Sequence, residues 1–266
     1  MRHIFILLLL TLVIVLHVAA QPTKKTQKAI ICLTYDDGLE SHLSTVVPEL
    51  DSFDFKATFF LNAIKGSAEV IGQASPALIG WQNAARNGHE LGNHTLFHPC
   101  PESLGWQKNV AIEQYSVGRI MQEVRAMDEL LDLVDNKKTP RPFAYPCNNS
   151  LVEGKDYSST LQKEGFLYGR TGGDRNSVVK DFRALDVMHV PSWLVEEDAT
   201  AKELMAFAEK ARASSGMAVY QFHGIGGQFF KVSKEAHRQL LQYLKDNQQY
   251  YQVLTFSDAM KQIALR

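Results

Sequence analysis

The sequence lacks an excess of either charge. Its 28 Lys and Arg residues stand against 29 Asp and Glu residues, which gives a formal net charge of -1. No basic cluster interrupts this balance, so we expect no nucleic-acid partner. Repeats and low-complexity segments are absent too, and 45% hydrophobic with 21% charged residues is an ordinary globular composition. The length suits one large α/β domain or two small ones.

Cysteine is also scarce, with three residues in the chain. This is too few, and in the wrong spacing, for a metal site built from thiolates. Cys32 lies inside an apolar run and is expected to be a small buried hydrophobic residue. Cys100 and Cys147 each directly follow a proline, on loops that we expect to border one site. We predict a disulfide between these two cysteines, with two free thiols as the alternative.

The first twenty residues have the pattern of a signal peptide. Arg2 precedes an uncharged, leucine-rich run over residues 4–16, and small residues follow at 18–20. This run is shorter than the roughly 20 residues that cross a bilayer, although an uncleaved anchor is the alternative. The sequence therefore predicts a signal peptide at 1–20 and one catalytic domain at 21–266. The protein would be periplasmic or secreted, with no stable membrane anchor after cleavage.

Short apolar segments alternate with longer helical patterns along the chain. Strands are predicted at 30–34, 57–61, 90–92, 142–146, 165–168, 187–190, 217–222 and 252–255. Helices are predicted at 43–53, 76–87, 110–135, 157–163, 201–213, 233–247 and 257–263. Strand and helix in repeated alternation indicate a parallel sheet, and this many units in one domain favour a (β/α) barrel of seven or eight units.

Two adjacent aspartates end the first predicted strand. Asp36 and Asp37 follow the apolar run at 29–35 and precede Gly38. Desolvating a carboxylate is costly unless a cation compensates it, and the carboxyl ends of parallel strands are where ligands collect. The pair therefore indicates a metal site. An Asx turn capped by Gly38 is the purely structural alternative.

Three histidines complete this constellation. His94 and His98 are four residues apart, which lets two imidazoles share a cation, and an aspartate would complete a two-histidine, one-carboxylate set. His223 follows the apolar run at 218–222 and precedes a glycine-rich loop. Its ordinary pKa suits proton transfer near neutrality, although a lone histidine is often structural.

These residues carry a resemblance to a known family. Thr-Tyr-Asp-Asp-Gly at 34–38 and His-x-x-x-His-Pro at 94–99 resemble the first two motifs of the polysaccharide deacetylases, carbohydrate esterase family 4, with a NodB homology domain. The resemblance implies a distorted (β/α) barrel and a divalent metal, commonly zinc. It also implies three roles for five residues: Asp37, His94 and His98 as metal ligands, Asp36 as general base, and His223 as general acid.

The third motif of the family departs from its usual form here. That motif usually reads Arg-Pro-Pro-Tyr-Gly, and the best register sets residues 144–148 against it. Ala144 then stands where an arginine normally steadies the catalytic aspartate, and Arg141 is nearby but out of register. By the same resemblance, the backbone N–H of Cys147 would bind the developing oxyanion.

The fourth motif of the family supplies an acidic partner for the last histidine, near a tryptophan. This motif does not match clearly in the present sequence either. Trp193 supplies the aromatic residue, and Asp186 and Asp198 are both candidates for the acid. Tyr145 and Trp193 are candidates for stacking on sugar rings, with packing inside the barrel as the alternative.

The leading functional prediction is a metal-dependent hydrolase that removes acetyl groups from a carbohydrate. N-deacetylation of a polysaccharide containing N-acetylhexosamine is the first expectation, and a carbohydrate polymer or oligosaccharide is the expected partner. One alternative is an O-acetyl esterase acting on a xylan-like glycan, since the same chemistry cleaves an ester. The other is a carbohydrate-binding barrel without turnover, suggested by the missing arginine at Ala144.

Overall fold

Ten strands are present in the part of the chain that the computed structural model describes, residues 27–62, 76–227 and 229–265. They are β1 (Ala29–Asp36), β2 (Thr58–Leu61), β3 (Glu90–Asn93), β4 (Phe143–Ala144), β5 (Leu151–Val152), β6 (Lys155–Asp156), β7 (Gly169–Arg170), β8 (Trp193–Leu194), β9 (Met217–Phe222) and β10 (Tyr251–Leu254). The predicted signal peptide and its boundary at residue 21 lie outside the described residues.

Helices lie between most of these strands. They are α1 (Val47–Ser52), α2 (Pro76–Arg86), α3 (Val117–Asp135), α4 (Ser158–Lys163), α5 (Ala201–Ser214), α6 (Lys234–Asp246) and α7 (Phe256–Ile263). A π-helical turn, His42–Val46, leads directly into α1. No helix among the described residues is long and apolar enough to cross a bilayer.

The strands form one curled parallel sheet in the order β7-β4-β3-β2-β1-β9-β8, with β10 paired to the first half of β1. Every residue of β1 is buried, as expected of a central parallel strand covered on both faces. The two edges of the sheet meet, because Val190, just before β8, forms a parallel bridge with Arg170 of β7. The predicted α/β barrel in a single domain is confirmed.

The elements with a clear period were predicted well, and the shortest ones were not. Strands β1, β2, β9 and β10 lie within a residue or two of their predicted positions. The strands predicted at 165–168 and 187–190 are wrong in position, because β7 and β8 come later and contain two residues each. Helix α3 begins at Val117 rather than at residue 110, because the Ser116 hydroxyl caps it by accepting a hydrogen bond from the Arg119 amide.

Arg141, the arginine near the third motif, belongs to the scaffold. Its buried guanidinium binds three carboxylates on α3, from Asp128, Asp132 and Asp135, and its Nη1 donates to the backbone oxygen of Leu91. The closest carboxylate oxygen, on Asp135, is 2.7 Å away. One guanidinium thus forms ion pairs with three acidic side chains and holds α3 against the sheet.

Replacing Arg141 is expected to destabilise the fold strongly. In Arg141→Met the three aspartates lose their common counter-charge, and breaking a buried ion pair costs about 3–5 kcal/mol. Arg125→Ala is the matched control, because Arg125 pairs with Glu164 at the surface, where such pairs contribute up to about 1 kcal/mol. Urea unfolding of both variants measures the difference. Equal losses of stability in the two variants would contradict this role of Arg141.

Candidate metal centre and active site

The aspartate pair lies at the carboxyl end of the central strand. Asp36 is the last residue of β1, and the chain then turns through Asp37 (φ 77°) and Gly38 (φ 60°). The Asp37 amide donates to the backbone oxygen of Phe60 at 3.0 Å, and Asn62 Nδ2 donates to Asp37 Oδ1 at 2.7 Å. This turn gives two neighbouring carboxylates different surroundings.

Asp37 lies beside both histidines of the second motif. Its Oδ1 is 3.9 Å from His94 Nε2 and 3.7 Å from His98 Nε2, and one ligand atom from each of the three residues lies within 4.8 Å of the others. The two Nε2 atoms are 3.0 Å apart. The structure therefore brings the three predicted metal ligands together around one point.

Both imidazoles have their tautomers set by a second partner. The Nδ1–H of His94 donates to the backbone oxygen of Ala144 at 2.8 Å, and the Nδ1–H of His98 points at the Cys100 sulfur at 3.4 Å. Burial lowers the pKa of His94 to about 3 and that of His98 to about 4, so both rings are neutral. Two unprotonated Nε2 atoms then face each other at close range, and a divalent cation fits such a pair.

The loop that carries these histidines is held by buried polar contacts. The Thr95 hydroxyl accepts a hydrogen bond from the His98 amide at 3.0 Å, and Thr95 (φ 62°) and His98 (φ 47°) both have left-handed backbone. Glu123 of α3 accepts from the Phe97 amide at 3.1 Å and from the Tyr115 hydroxyl at 2.5 Å. Glu123 was not predicted from the sequence, since nothing in a helical pattern marks a buried acid as a support for a distant loop.

Asp36 has an arginine partner after all. Its Oδ2 accepts from Arg170 Nη2 at 2.5 Å and from Gln221 Nε2 at 3.0 Å, while its buried Oδ1 has no hydrogen-bond partner. Burial acts to raise the pKa of Asp36, but the Arg170 guanidinium, with His94 and His223, lowers it below the ordinary value. Asp36 is thus an ionised carboxylate with one oxygen held by hydrogen bonds and one buried oxygen that lacks a hydrogen-bond partner.

Arg170 comes from β7 rather than from the third motif. It is the cross-strand partner of Ala144 in the pairing of β4 with β7, so the guanidinium comes from the neighbouring strand at the same level. Its Nη1 donates to the Ser192 hydroxyl at 3.2 Å, and its guanidinium lies 5.0 Å from the centre of the Phe60 ring. The sequence offered one signal for Arg170: it is a charged residue at the end of a strand, two positions before Gly172.

His223 follows β9 and lies on the other side of Asp37. Its Nε2 is 3.9 Å from Asp37 Oδ2, and its backbone oxygen accepts a hydrogen bond from His42 Nε2 at 2.9 Å. Burial lowers the pKa of His223, whereas Asp36 and Asp37 act to raise it. These carboxylates are the acidic groups that face this ring.

The two acids that the sequence suggested for His223 lie elsewhere. Asp186 binds His189, with 2.8 Å between Oδ2 and Nδ1, and the described residues show no contact between Asp198 and His223. Trp193, the tryptophan matched to the fourth motif, donates its indole N–H to Glu196 at 2.7 Å. Neither candidate therefore pairs with His223, whose buried Nδ1 has no hydrogen-bond partner.

Tyr145 and Trp193 do not form exposed sugar-stacking surfaces. Both side chains are fully buried. The Tyr145 ring packs against Phe143 and Tyr157, and the Trp193 ring packs against Phe207 and Tyr220. The alternative reading, packing inside the barrel, is the one that the structure bears out for both residues.

Cys100 and Cys147 are joined by a disulfide, with their Cα atoms 5.7 Å apart. The bridge ties the loop that carries His98 to the turn after β4. Cys147 has a left-handed backbone (φ 49°) in that turn. Cys32 is a buried free thiol, as its apolar surroundings predicted.

The curled parallel sheet closes into a barrel. Two carboxylates and three imidazoles lie together at its carboxyl edge, where they form a candidate metal centre. A family model for polysaccharide deacetylases matches residues 23–162, and the chain belongs to that family. A chitin deacetylase from Colletotrichum lindemuthianum is 35% identical over 79 residues. That alignment covers 30% of this chain and 31% of the relative, so the chain matches about a third of that protein's length.

Solved structures share the fold over most of the chain. The Xyl-CE4 domain of a xylanase from the hindgut metagenome of Trinervitermes trinervoides is 19% identical, with a TM-score of 0.56 over 89% of this chain and 92% of that domain. The catalytic domain of a peptidoglycan N-acetylglucosamine deacetylase from Eubacterium rectale is 18% identical, with a TM-score of 0.55 over 90% and 94%. A CE4 family pseudoenzyme from Bacillus anthracis is 15% identical, with a TM-score of 0.53 over 88% and 66%. At these identities the likeness shows the fold alone.

The disulfide is expected to stabilise the fold. It joins residues 47 positions apart, and closing a loop of that length in the unfolded chain is worth roughly 2–4 kcal/mol. A reducing agent should therefore lower the melting temperature of the wild-type protein. The same agent should leave the melting temperature of the Cys100→Ser/Cys147→Ser variant unchanged, which makes that variant the control. A wild-type protein that melts at one temperature with and without reductant would contradict this expectation.

Proposed function

We propose that this protein is a metal-dependent hydrolase that removes acetyl groups from a carbohydrate, by N-deacetylation of a polysaccharide containing N-acetylhexosamine. The observation that carries the proposal is the unequal environment of the two aspartates. Asp37 lies against His94 and His98, whereas Asp36 is held by Arg170 and has one oxygen without a hydrogen-bond partner. Membership in the polysaccharide deacetylase family supports the same chemistry.

Asp37, His94 and His98 are the proposed ligands of the metal, with zinc as the proposed ion. Two neutral imidazoles and one carboxylate leave coordination positions open for water and substrate. A zinc ion bound by these residues would lower the pKa of a water molecule from about 16 towards 7 and would polarise the acyl oxygen. The backbone of Ala144 and the Cys100 sulfur orient the two rings for this task.

Asp36 is the proposed general base. Its ionised state is maintained by Arg170, and Oδ1, which has no hydrogen-bond partner, accepts the proton of the attacking water. Gln221 donates to the other oxygen and thereby orients the carboxylate. Because Arg170 supplies the charge that Ala144 lacks, the departure in the third motif does not favour a barrel without turnover.

His223 is the proposed general acid. As an imidazolium it donates the Nε2 proton to the nitrogen that leaves, and it becomes the neutral ring that its burial favours. The backbone N–H of Cys147, in the turn fixed by the disulfide, is the proposed donor to the oxyanion. These groups divide the three tasks of amide hydrolysis: deprotonating the water, binding the oxyanion and protonating the amine.

Acetate release by the purified protein tests the proposal. Supplied with zinc, the protein is expected to release acetate from chitin oligomers or peptidoglycan, and a chelator should abolish the release until zinc is restored. Acetylated xylan belongs in the same panel, because release from xylan alone would assign an O-acetyl esterase. Binding of these glycans without release from any of them would identify a non-catalytic barrel.

Loss of the proposed acid or base is expected to slow turnover strongly. A positioned proton donor or acceptor contributes about 10²- to 10⁴-fold, so Asp36→Asn and His223→Ala should each lose at least about 10²-fold in kcat. Acetate release at saturating substrate measures this loss. Zinc content determined on the same samples separates lost catalysis from lost metal. A variant that retains wild-type kcat removes its residue from the mechanism.

Arg170 is expected to act by positioning Asp36. Replacing a group that orients a site residue typically costs 10- to 100-fold, so Arg170→Met should lower kcat/KM by about that factor. Adding guanidinium ion should restore part of the loss in Arg170→Ala, because the ion can occupy the space beside Asp36. Arg175→Met is the matched control, since Arg175 is an exposed arginine paired with Glu196 and Glu203. Equal kcat/KM values in Arg170→Met and Arg175→Met would contradict this role.

A further inference from the structure

The backbone that follows β9 is held by two side chains from the turn that follows the aspartate pair. His42, the first residue of the π-helical turn, donates its Nε2–H to the backbone oxygen of His223 at 2.9 Å. The neighbouring Ser41 hydroxyl accepts a longer hydrogen bond, of 3.4 Å, from the Ile225 amide. These two adjacent residues therefore fix the chain on either side of Gly224, at the edge of the sheet where the chemistry is proposed.

Core packing alone does not account for a histidine at position 42. The side chain is fully buried, and its ring centroid lies 5.6 Å from that of Tyr35 and 5.8 Å from that of Phe59. Burial lowers the pKa of His42 to about 4, so the ring is neutral and its one proton is the one on Nε2. Nδ1 is then a buried acceptor, and no hydrogen-bond partner for it lies among the described residues. An apolar side chain would fill the same space without leaving a buried nitrogen unpaired.

The His223 ring has few polar contacts that could orient it. Its Nδ1 is buried and finds no hydrogen-bond partner in the described part of the chain. Its Nε2 is 3.9 Å from Asp37 Oδ2, which is beyond hydrogen-bond distance. Phe229 and Phe230 pack against the ring, with centroids 5.3 and 5.4 Å away, and packing of this kind fixes no direction for a proton. The position of the imidazole therefore depends on its own backbone, which His42 holds.

We propose that His42 is a positioning residue for the general acid, because its hydrogen bond to the His223 carbonyl fixes the place from which the His223 imidazole protonates the leaving nitrogen. A general acid must lie within hydrogen-bond reach of the atom that it protonates, and a displacement of about 1 Å can cost about 10²-fold in rate. His42 acts through His223 and exchanges no proton in the reaction. A bond to the backbone thus takes over the orienting task of the acid that the fourth motif lacks. This inference rests on the proposed function and adds one residue to it.

The kinetics of two variants at position 42 test this role. His42→Met removes the donor and keeps a side chain of similar volume, so kcat for acetate release should fall about tenfold, while KM and zinc content stay near the wild-type values. His42→Gln should restore most of kcat, because the glutamine amide can donate to the same carbonyl. Wild-type kcat in His42→Met overturns the proposal. Equal losses in His42→Met and His42→Gln overturn it too, because the donor would then be irrelevant.

His89→Met is the control for the loss of a buried histidine. His89 is also fully buried, and its Nε2 is 3.2 Å from Asp51 Oδ1. It lies directly before β3, at the end of the sheet opposite to the candidate site. His89→Met should therefore lower stability in urea and leave kcat unchanged. If kcat falls in His89→Met as much as in His42→Met, loss of a buried histidine explains both results and the proposal is wrong.

A measurement without turnover separates this inference from the proposed function. Spectra of the ¹⁵N-labelled histidine rings in the zinc-free protein at one pH, with His223 assigned from His223→Gln, should show a shifted His223 signal in His42→Met and a wild-type signal in His42→Gln. If the wild type releases no acetate but the signals behave in this way, the hydrolase is wrong and the placement of the His223 ring by His42 stands. If the wild type releases acetate and His42→Met keeps its kcat and its His223 signal, the role of His42 is wrong and the hydrolase stands.

Discussion

The site depends on the buried ion pair between Asp36 and Arg170. These residues are 134 positions apart in sequence, and their side chains meet at 2.5 Å with almost no exposure to solvent. Removing two charges from water is unfavourable unless each finds a close partner, so the pair requires β1 and β7 to hold one relative position. Gln221 on β9 donates to Asp36, and Ser192 before β8 accepts from Arg170. The positions of β8 and β9 are therefore constrained as well. The barrel is therefore constrained at the edge where the chemistry is proposed.

Around this pair, the support for each functional group comes largely from backbone atoms and a covalent bridge. A carbonyl oxygen from β4 orients His94, a disulfide sulfur lies against His98, and His42 holds the carbonyl of His223. Backbone partners do not depend on which side chain stands at their position. Ala144 can thus lack the family's arginine side chain and still orient His94, a proposed metal ligand.

The sequence was most informative where residues close in the chain share one task. The long apolar strands β1 and β9 and the two motifs with Asp36, Asp37, His94 and His98 could be placed because period and spacing are local signals. Arg170 could not be paired with Asp36 in advance, because β7 has two residues and no period, and the contact spans half the chain. The sequence could not predict the burial of Trp193 and Tyr145 either, because an aromatic residue at a strand end is equally compatible with core packing and with ligand contact. Asp186, one of the two acids suggested for His223, binds His189 instead.

The pairing of Ala144 with Arg170 in register has a consequence for how such barrels diverge. Paired residues of adjacent strands project their side chains from the same face of a sheet, so an arginine at either position can approach Asp36 from the same side. A lineage that moves the arginine between strands must pass through an ancestor with two arginines or with none. The first buries a surplus positive charge, and the second leaves Asp36 without its counter-ion. Either intermediate is therefore electrostatically unfavourable at this edge of the sheet.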